Sequence, residues 1–215
     1  MTVNVSYYPG CSLDGTAREY GESVEAVARL LGIELRELDD WTCCGASSAH
    51  ATNDGLAVAL PASNLMIADK AGLDLVVPCA ACFERLKVAE KHLLAGKEIA
   101  GISGKYQGKF HIKHMLDFIW ENIGEKAISE KIKKPLSGLT PVCYYGCLIT
   151  RPPKVTDAKN HEDPRAMDKL VKSLGANVKD WSYKTDCCGG SLMLTCPDIG
   201  RKMTAKLLDM AEEAG

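Results

Sequence analysis

Five of the ten cysteines in this 215-residue chain fall in one spaced pattern. Cys11 is followed by the adjacent pair Cys43-Cys44 and then by Cys79 and Cys82, giving C-x31-C-C-G-x33-C-x2-C. A later stretch repeats most of it: Tyr144-Tyr145-Gly146-Cys147, then 39 residues, then Cys187-Cys188-Gly189-Gly190. Five thiols at such separations can act together only if the fold returns the chain to one place three times.

The order of secondary-structure signals supplies that return. Val3 to Tyr8 reads as a strand that stops at Pro9-Gly10. Tyr20, Val24, Val27 and Leu31 recur at helical spacing, with Thr16 as N-cap and Gly32 past the end. Ile33 to Leu38 reads as a second strand, Asp54 to Ala71 as a helix stopped by Gly72, Leu73 to Val77 as a third strand, and Phe83 to Leu94 as a helix. This alternation predicts a parallel sheet with flanking helices, the α/β class. Each cysteine cluster falls just after a strand, at the carboxyl rim where open parallel sheets hold ligands.

Gly96 to Gly108 reads as a glycine- and lysine-rich loop, and His111 to Ile123 as a helix. Gly104 and Gly108 form no phosphate loop, since no Lys-Ser/Thr follows them. The pattern then restarts. Val142 to Tyr145 reads as a strand, Arg165 to Leu174 as a helix ended by Gly175, Asn177 to Trp181 as a strand, and Ile199 to Ala211 as a helix. The organisation expected is a first cysteine-rich unit over 1–100, a linker and connecting helix over 101–138, and a second, incomplete unit over 139–215. The internal offset would put a second C-x2-C near positions 223 to 227, so the second unit is read as truncated or as naturally incomplete.

Composition narrows the chemistry. With 46% apolar and 25% charged residues the chain is an ordinary globular protein with ample core. A formal net charge of −2, without long basic runs, gives no footprint for nucleic acid. The N-terminus reads as strand rather than export signal, and no apolar run approaches the ~18–20 residues that span a bilayer. A cytoplasmic location is expected. In a reducing compartment clustered cysteines point to metal ligands or redox thiols rather than structural disulfides.

Coordination number separates the metals. Zinc and a cubane iron–sulfur cluster each take four ligands, so five converging thiolates exceed either. Neighbouring cysteines reach adjacent irons of one cluster more easily than they reach one ion together. Iron–sulfur is therefore favoured and zinc is less favoured.

The pattern, its partial repeat, and the Tyr-Tyr-Pro-Gly-Cys and Cys-Cys-Gly-Gly contexts resemble the cysteine-rich CCG domain, in particular the B subunit of heterodisulfide reductase. The resemblance implies two such domains, each holding a noncubane [4Fe-4S] cluster through five cysteines. Together these would reduce the coenzyme M–coenzyme B disulfide in an anaerobic, methanogenesis-type setting. It implies electrons from a flavin-containing A subunit through a cubane iron–sulfur C subunit. Residue by residue it makes Cys11, Cys43, Cys44, Cys79 and Cys82 the first cluster's ligands. Cys147, Cys187 and Cys188 match three of the second cluster's five, and Cys143 and Cys196 fall outside the pattern. CCG domains also resemble parts of glycolate-, lactate-, glycerol-3-phosphate- and succinate-oxidising complexes, so electron transfer in another dehydrogenase stays open. So does a zinc-stabilised module without turnover.

Other residues weigh less. Cys79-Ala80-Ala81-Cys82 alone matches a thioredoxin-like pair. His50 is the one acid/base candidate, beside the first cysteine pair. His111 and His114 read as surface or packing residues, and Arg151, Lys154 and Lys184 as solvated charges or as anchors for an anionic substrate group. Trp41 and Trp181 hold related positions before the two cysteine pairs and read as shielding residues.

Overall fold

The computed structural model describes residues 2–215. Its contacts divide into two compact units, one running to Ile123 and one from Gly124 to Gly215.

The first unit is built on four parallel strands: β1 (Val3–Tyr7), β2 (Ile33–Glu37), β3 (Leu75–Val77) and β4 (Ile112–His114), in the order β2-β1-β3-β4. All three residues of β3 are buried, as a central strand covered on both faces requires. The connecting helices are α1 (Cys11–Asp14), α2 (Arg18–Leu31), α3 (Ser48–Thr52), α4 (Asp54–Ala71) and α5 (Ala80–Leu94). Gly32 and Gly72 end α2 and α4 in the left-handed conformation. Asn53 caps α4 by accepting the Leu56 N–H at 2.9 Å. The order reverses about β1, since β2 lies on one side of it and β3 on the other. The crevice at the carboxyl ends of β1 and β3 is thus a switch point, the usual ligand position in such sheets.

One expected helix is a strand instead. Ile112–His114 forms β4, which pairs with Leu75–Val77, and the helix α6 begins only at Met115 and runs to Phe118. A π-helical turn, Ile119–Ile123, follows. Burial alternates, with Ile112 and His114 inside and Lys113 partly out. The Asp74 carboxylate accepts the His111 N–H at 2.8 Å and sets the register. The edge of β3 selected an extended partner where the apolar spacing fits a helix equally well.

In the second unit the parallel pairing is confined to one bridge, Val142–Lys179. Past it, the Tyr145 and Gly146 N–H groups both donate to the Lys184 carbonyl, at 2.8 and 3.1 Å, so a turn takes the bonds a longer ladder would use. Helices α7 (Gly124–Ser129), α8 (Pro153–Thr156), α9 (Ala166–Ser173) and α10 (Pro197–Ala214) complete the unit. Among the described residues no helix is long and apolar enough to cross a membrane.

Candidate metal centre

The three cysteine segments of the first unit follow β1, β2 and β3, at the carboxyl rim. Cys11 Sγ lies 3.7 Å from Cys43 Sγ, and Cys44 Sγ lies 3.3 Å from Cys82 Sγ. Cys79 shares a hydrogen bond with the Cys82 thiol. Cys44 and Cys82 are buried, Cys43 and Cys79 half-buried, and Cys11 exposed, so the group is open on the Cys11 side. Among the described residues no three Cys, His, Asp or Glu side chains form a group suited to one metal ion.

Backbone geometry makes the room. Gly10 has φ +75°, and a Cβ there would stand 2.7 Å from Cys82 Sγ. Gly45, at φ +73°, donates its N–H to Cys43 Sγ at 3.4 Å. The second unit repeats this: Gly189, at φ +75°, donates to Cys187 Sγ at 3.4 Å.

The thiols perturb one another. Bonds with Cys44 and then Cys79, followed by burial, push the Cys82 pKa upward. The Cys44–Cys82 bond lowers Cys44, and the bond with Cys82 holds Cys79 down at about 6 despite burial. Burial, then the Cys43 thiol, raises Cys11. Gathering thiols in one partly dry place makes full ionisation costly without a cation, and a bound cation would release these protons. A donor set of five sulfurs, with the Gly10 cradle and a peptide N–H on sulfur, fits an iron–sulfur group.

In the second unit Cys147 is raised by burial and then by the Cys187 thiol. Cys147 and Cys188 are half-buried, and Cys187 is exposed. Cys143 is buried, with its pKa raised to about 11 by burial and by Asp168, and Cys196 is exposed at the start of α10.

Most of the remaining candidates have partners elsewhere. Lys184 is buried to 2% exposure, its Nζ within 3.0–3.1 Å of Asp163, Asp168 and Asp180, so it offers nothing to an anionic substrate. Arg151 donates to Thr185 Oγ1 at 3.1 Å, and Lys154 sits in α8. His50 is exposed on α3, 3.1 Å from an Arg85 nitrogen through Nδ1. His111 pairs with Asp74 at 3.2 Å. Trp41 packs edge-on to Tyr8 at 5.3 Å, and Trp181 donates to the Cys143 carbonyl at 2.8 Å.

Several positioning residues escape sequence reasoning. The Tyr8 hydroxyl donates to the Thr42 carbonyl at 2.7 Å, immediately before the first cysteine pair. Asn64, fully buried on α4, holds both backbone groups of Thr42, accepting its N–H at 2.9 Å and donating to its carbonyl at 2.8 Å. His114 accepts the Leu116 N–H at Nδ1, so its Nε2–H donates to the Pro78 carbonyl at 2.9 Å, just before Cys79. Tyr20 reaches the same carbonyl at 3.3 Å. Only the tyrosines carry a signal in the sequence, since Tyr8 and Tyr144 each stand three residues before a lone cysteine.

A parallel sheet with thiols gathered on its carboxyl rim, followed by a second unit with the same cysteine framing, defines a duplicated cysteine-rich protein. The chain belongs to the cysteine-rich domain (CCG) family, whose model matches residues 5–87 and 142–215. It is 31% identical to the 8-methylmenaquinol:fumarate reductase membrane anchor subunit of Wolinella succinogenes, over the whole chain and 77% of that protein. It is 26% identical to a protein of Archaeoglobus profundus described as like the B subunit of heterodisulfide reductase, over 98% of the chain and 75% of that protein. It is 25% identical to the B subunit of the ferredoxin:CoB-CoM heterodisulfide reductase of Methanosarcina mazei, over 98% of the chain and 74% of that protein. These relatives are reductase subunits, and with them the chain is an oxidoreductase component similar to the B subunit of heterodisulfide reductase.

Proposed function

We propose that this chain is the iron–sulfur subunit of a heterodisulfide reductase-type complex. It would reduce a small-molecule disulfide with electrons received from partner subunits. The observation that supports this best is the grouping of the first unit's thiols at the sheet's carboxyl rim, open to solvent on the Cys11 side. Cys11, Cys43, Cys44, Cys79 and Cys82 are assigned as ligands of a noncubane [4Fe-4S] cluster. Cys147, Cys187 and Cys188 are assigned as three ligands of a second. The first cysteine-rich domain is taken as 1–100 and the second as 139–215, with 101–138 between them supplying β4 to the first sheet.

A group of this kind, when bound, supplies one-electron transfer and iron positions that can hold sulfur. The chain's own residues supply the rest. The thiolates bind, the Gly45 and Gly189 N–H groups stabilise sulfur charge and tune potential, and buried Cys44 and Cys82 exclude water from the inner side. Reducing one disulfide takes two electrons and two protons and yields two thiols, so a second one-electron site suits the reaction. A flavin-containing A subunit and a cubane iron–sulfur C subunit would deliver the electrons, in the cytoplasm.

A second reading has its own support in the 31% identity to a fumarate reductase subunit. In that case the same sulfur ligands would pass electrons between a quinol and a dehydrogenase or reductase partner, and no disulfide would bind.

Anaerobic preparation followed by iron, sulfide and zinc analysis tests the proposal. A brown protein with near-stoichiometric iron and sulfide is expected, and Cys44→Ala should lose the first cluster. A colourless zinc protein, or unchanged iron and sulfide in Cys44→Ala, would overturn the assignment. Disulfide reduction by the loaded protein with a chemical one-electron donor separates the first reading from the second.

A further inference from the structure

Both cysteine pairs ride on loops. Residues 38–47 and 180–189 contain neither helix nor strand, so the local backbone does not fix where each pair sits. In each unit one tyrosine spans the gap. Tyr8 and Tyr144 precede the lone cysteines Cys11 and Cys147 by three residues. Their hydroxyls donate to the carbonyls of Thr42 and Asp186, at 2.7 and 2.6 Å, each one residue ahead of the pair. In the first unit the circuit closes on itself: Tyr8 to Cys11 along the chain, Cys11 to Cys43 across 3.7 Å, and Thr42 back to the Tyr8 hydroxyl.

We propose that Tyr8 and Tyr144 are positioning residues that set the spacing between the lone cysteine and the cysteine pair, one latch per unit. This inference rests on the cluster-binding reading for its consequence, but the latch itself concerns thiol spacing and is measurable without metal. Its recurrence at matched positions, in two units whose strand pairing differs, argues against a packing accident. The Thr42 carbonyl keeps its Asn64 bond when the hydroxyl is removed, so Tyr8→Phe strands no buried acceptor and should fold.

The test uses the full chain with Tyr8→Phe and Tyr144→Phe, each keeping the ring. In metal-free protein, diamide should form the Cys11–Cys43 disulfide about fivefold more slowly in Tyr8→Phe, the scale of one lost hydrogen bond. Tyr144→Phe should slow the Cys147–Cys187 disulfide similarly and leave Cys11–Cys43 at the wild-type rate. In loaded protein, Tyr8→Phe should shift the reduction potential and the paramagnetic resonance signature of the first cluster. Wild-type cross-linking rates in both variants would overturn the latch. So would slowing of both disulfides by either variant alone, the mark of general loosening. If wild-type protein takes up no iron and sulfide, the cluster reading fails, and the disulfide rates still decide the latch. If Tyr8→Phe fails to fold, Tyr144→Phe, whose bond lies at the surface, carries the same decision in the second unit.

Discussion

Gly10→Ala isolates the steric contribution of the thiol cradle. Two costs add at this position. At φ +75° and ψ 160° the backbone is in an extended positive-φ region that essentially only glycine occupies, which costs about 1–3 kcal/mol for an ordinary residue. The new Cβ would also stand 2.7 Å from Cys82 Sγ. That sulfur cannot retreat freely, because Cys44 Sγ is 3.3 Å away and both side chains are buried. Overpacking of this kind adds about 1–3 kcal/mol. Gly72→Ala is the control for a positive-φ glycine in open space, with φ +67°, ψ 18° and nothing within 4 Å of the added Cβ, so it bears only the smaller left-handed cost of about 1–2 kcal/mol. Urea denaturation of metal-free protein should therefore show Gly10→Ala less stable than Gly72→Ala by at least about 1 kcal/mol, the low end of the overpacking cost alone. Gly10→Ala should also bind less iron after reconstitution, while Gly72→Ala binds the normal amount. Equal stabilities within about 0.5 kcal/mol, together with full iron in Gly10→Ala, would refute the claim that the missing Cβ makes room for sulfur.

Lys184→Met strands the buried Asp168 carboxylate, so urea denaturation should report a loss of about 3–5 kcal/mol in the second unit, largely recovered by adding Asp168→Asn; a loss under about 1 kcal/mol would contradict the pairing. His114 is buried neutral, with burial lowering its pKa to about 4, so its contribution is intact above the unfolded value near 6.5 and is lost as pH falls toward 4. Metal-free protein should lose about 3 kcal/mol over that window from this group, and His114→Gln should flatten the profile; an unchanged slope would refute the assignment. Asn64→Ala removes both side-chain bonds to Thr42 and should loosen the loop bearing Cys43 and Cys44, read as faster hydrogen exchange at Thr42 and Cys43 with little change in β3.

How much was legible in the sequence differs by element. The helix Asp54–Ala71 and its Gly72 stop were readable because cap, apolar spacing and terminating glycine are local features. Ile112–His114 was not, because three residues with mixed spacing take the conformation their neighbour offers, and β3 offered an open edge. Lys184 reads as a surface cation by type, yet three carboxylates from separate segments enclose it. That enclosure has no local signature.

For the site, the amino-acid order alone determined which residues carry thiols and that each group of the first unit follows a strand, because strand–helix alternation and glycine stops are written within a few residues. Tertiary structure decided what those thiols do to one another: the Cys11–Cys43 and Cys44–Cys82 approaches, the upward push on the Cys82 pKa, and the tyrosine that ties each loop to its lone cysteine. The physical reason is distance. Sulfur–sulfur repulsion, burial and hydrogen bonding act over a few ångströms between residues more than thirty positions apart, and only the folded sheet brings them within that range.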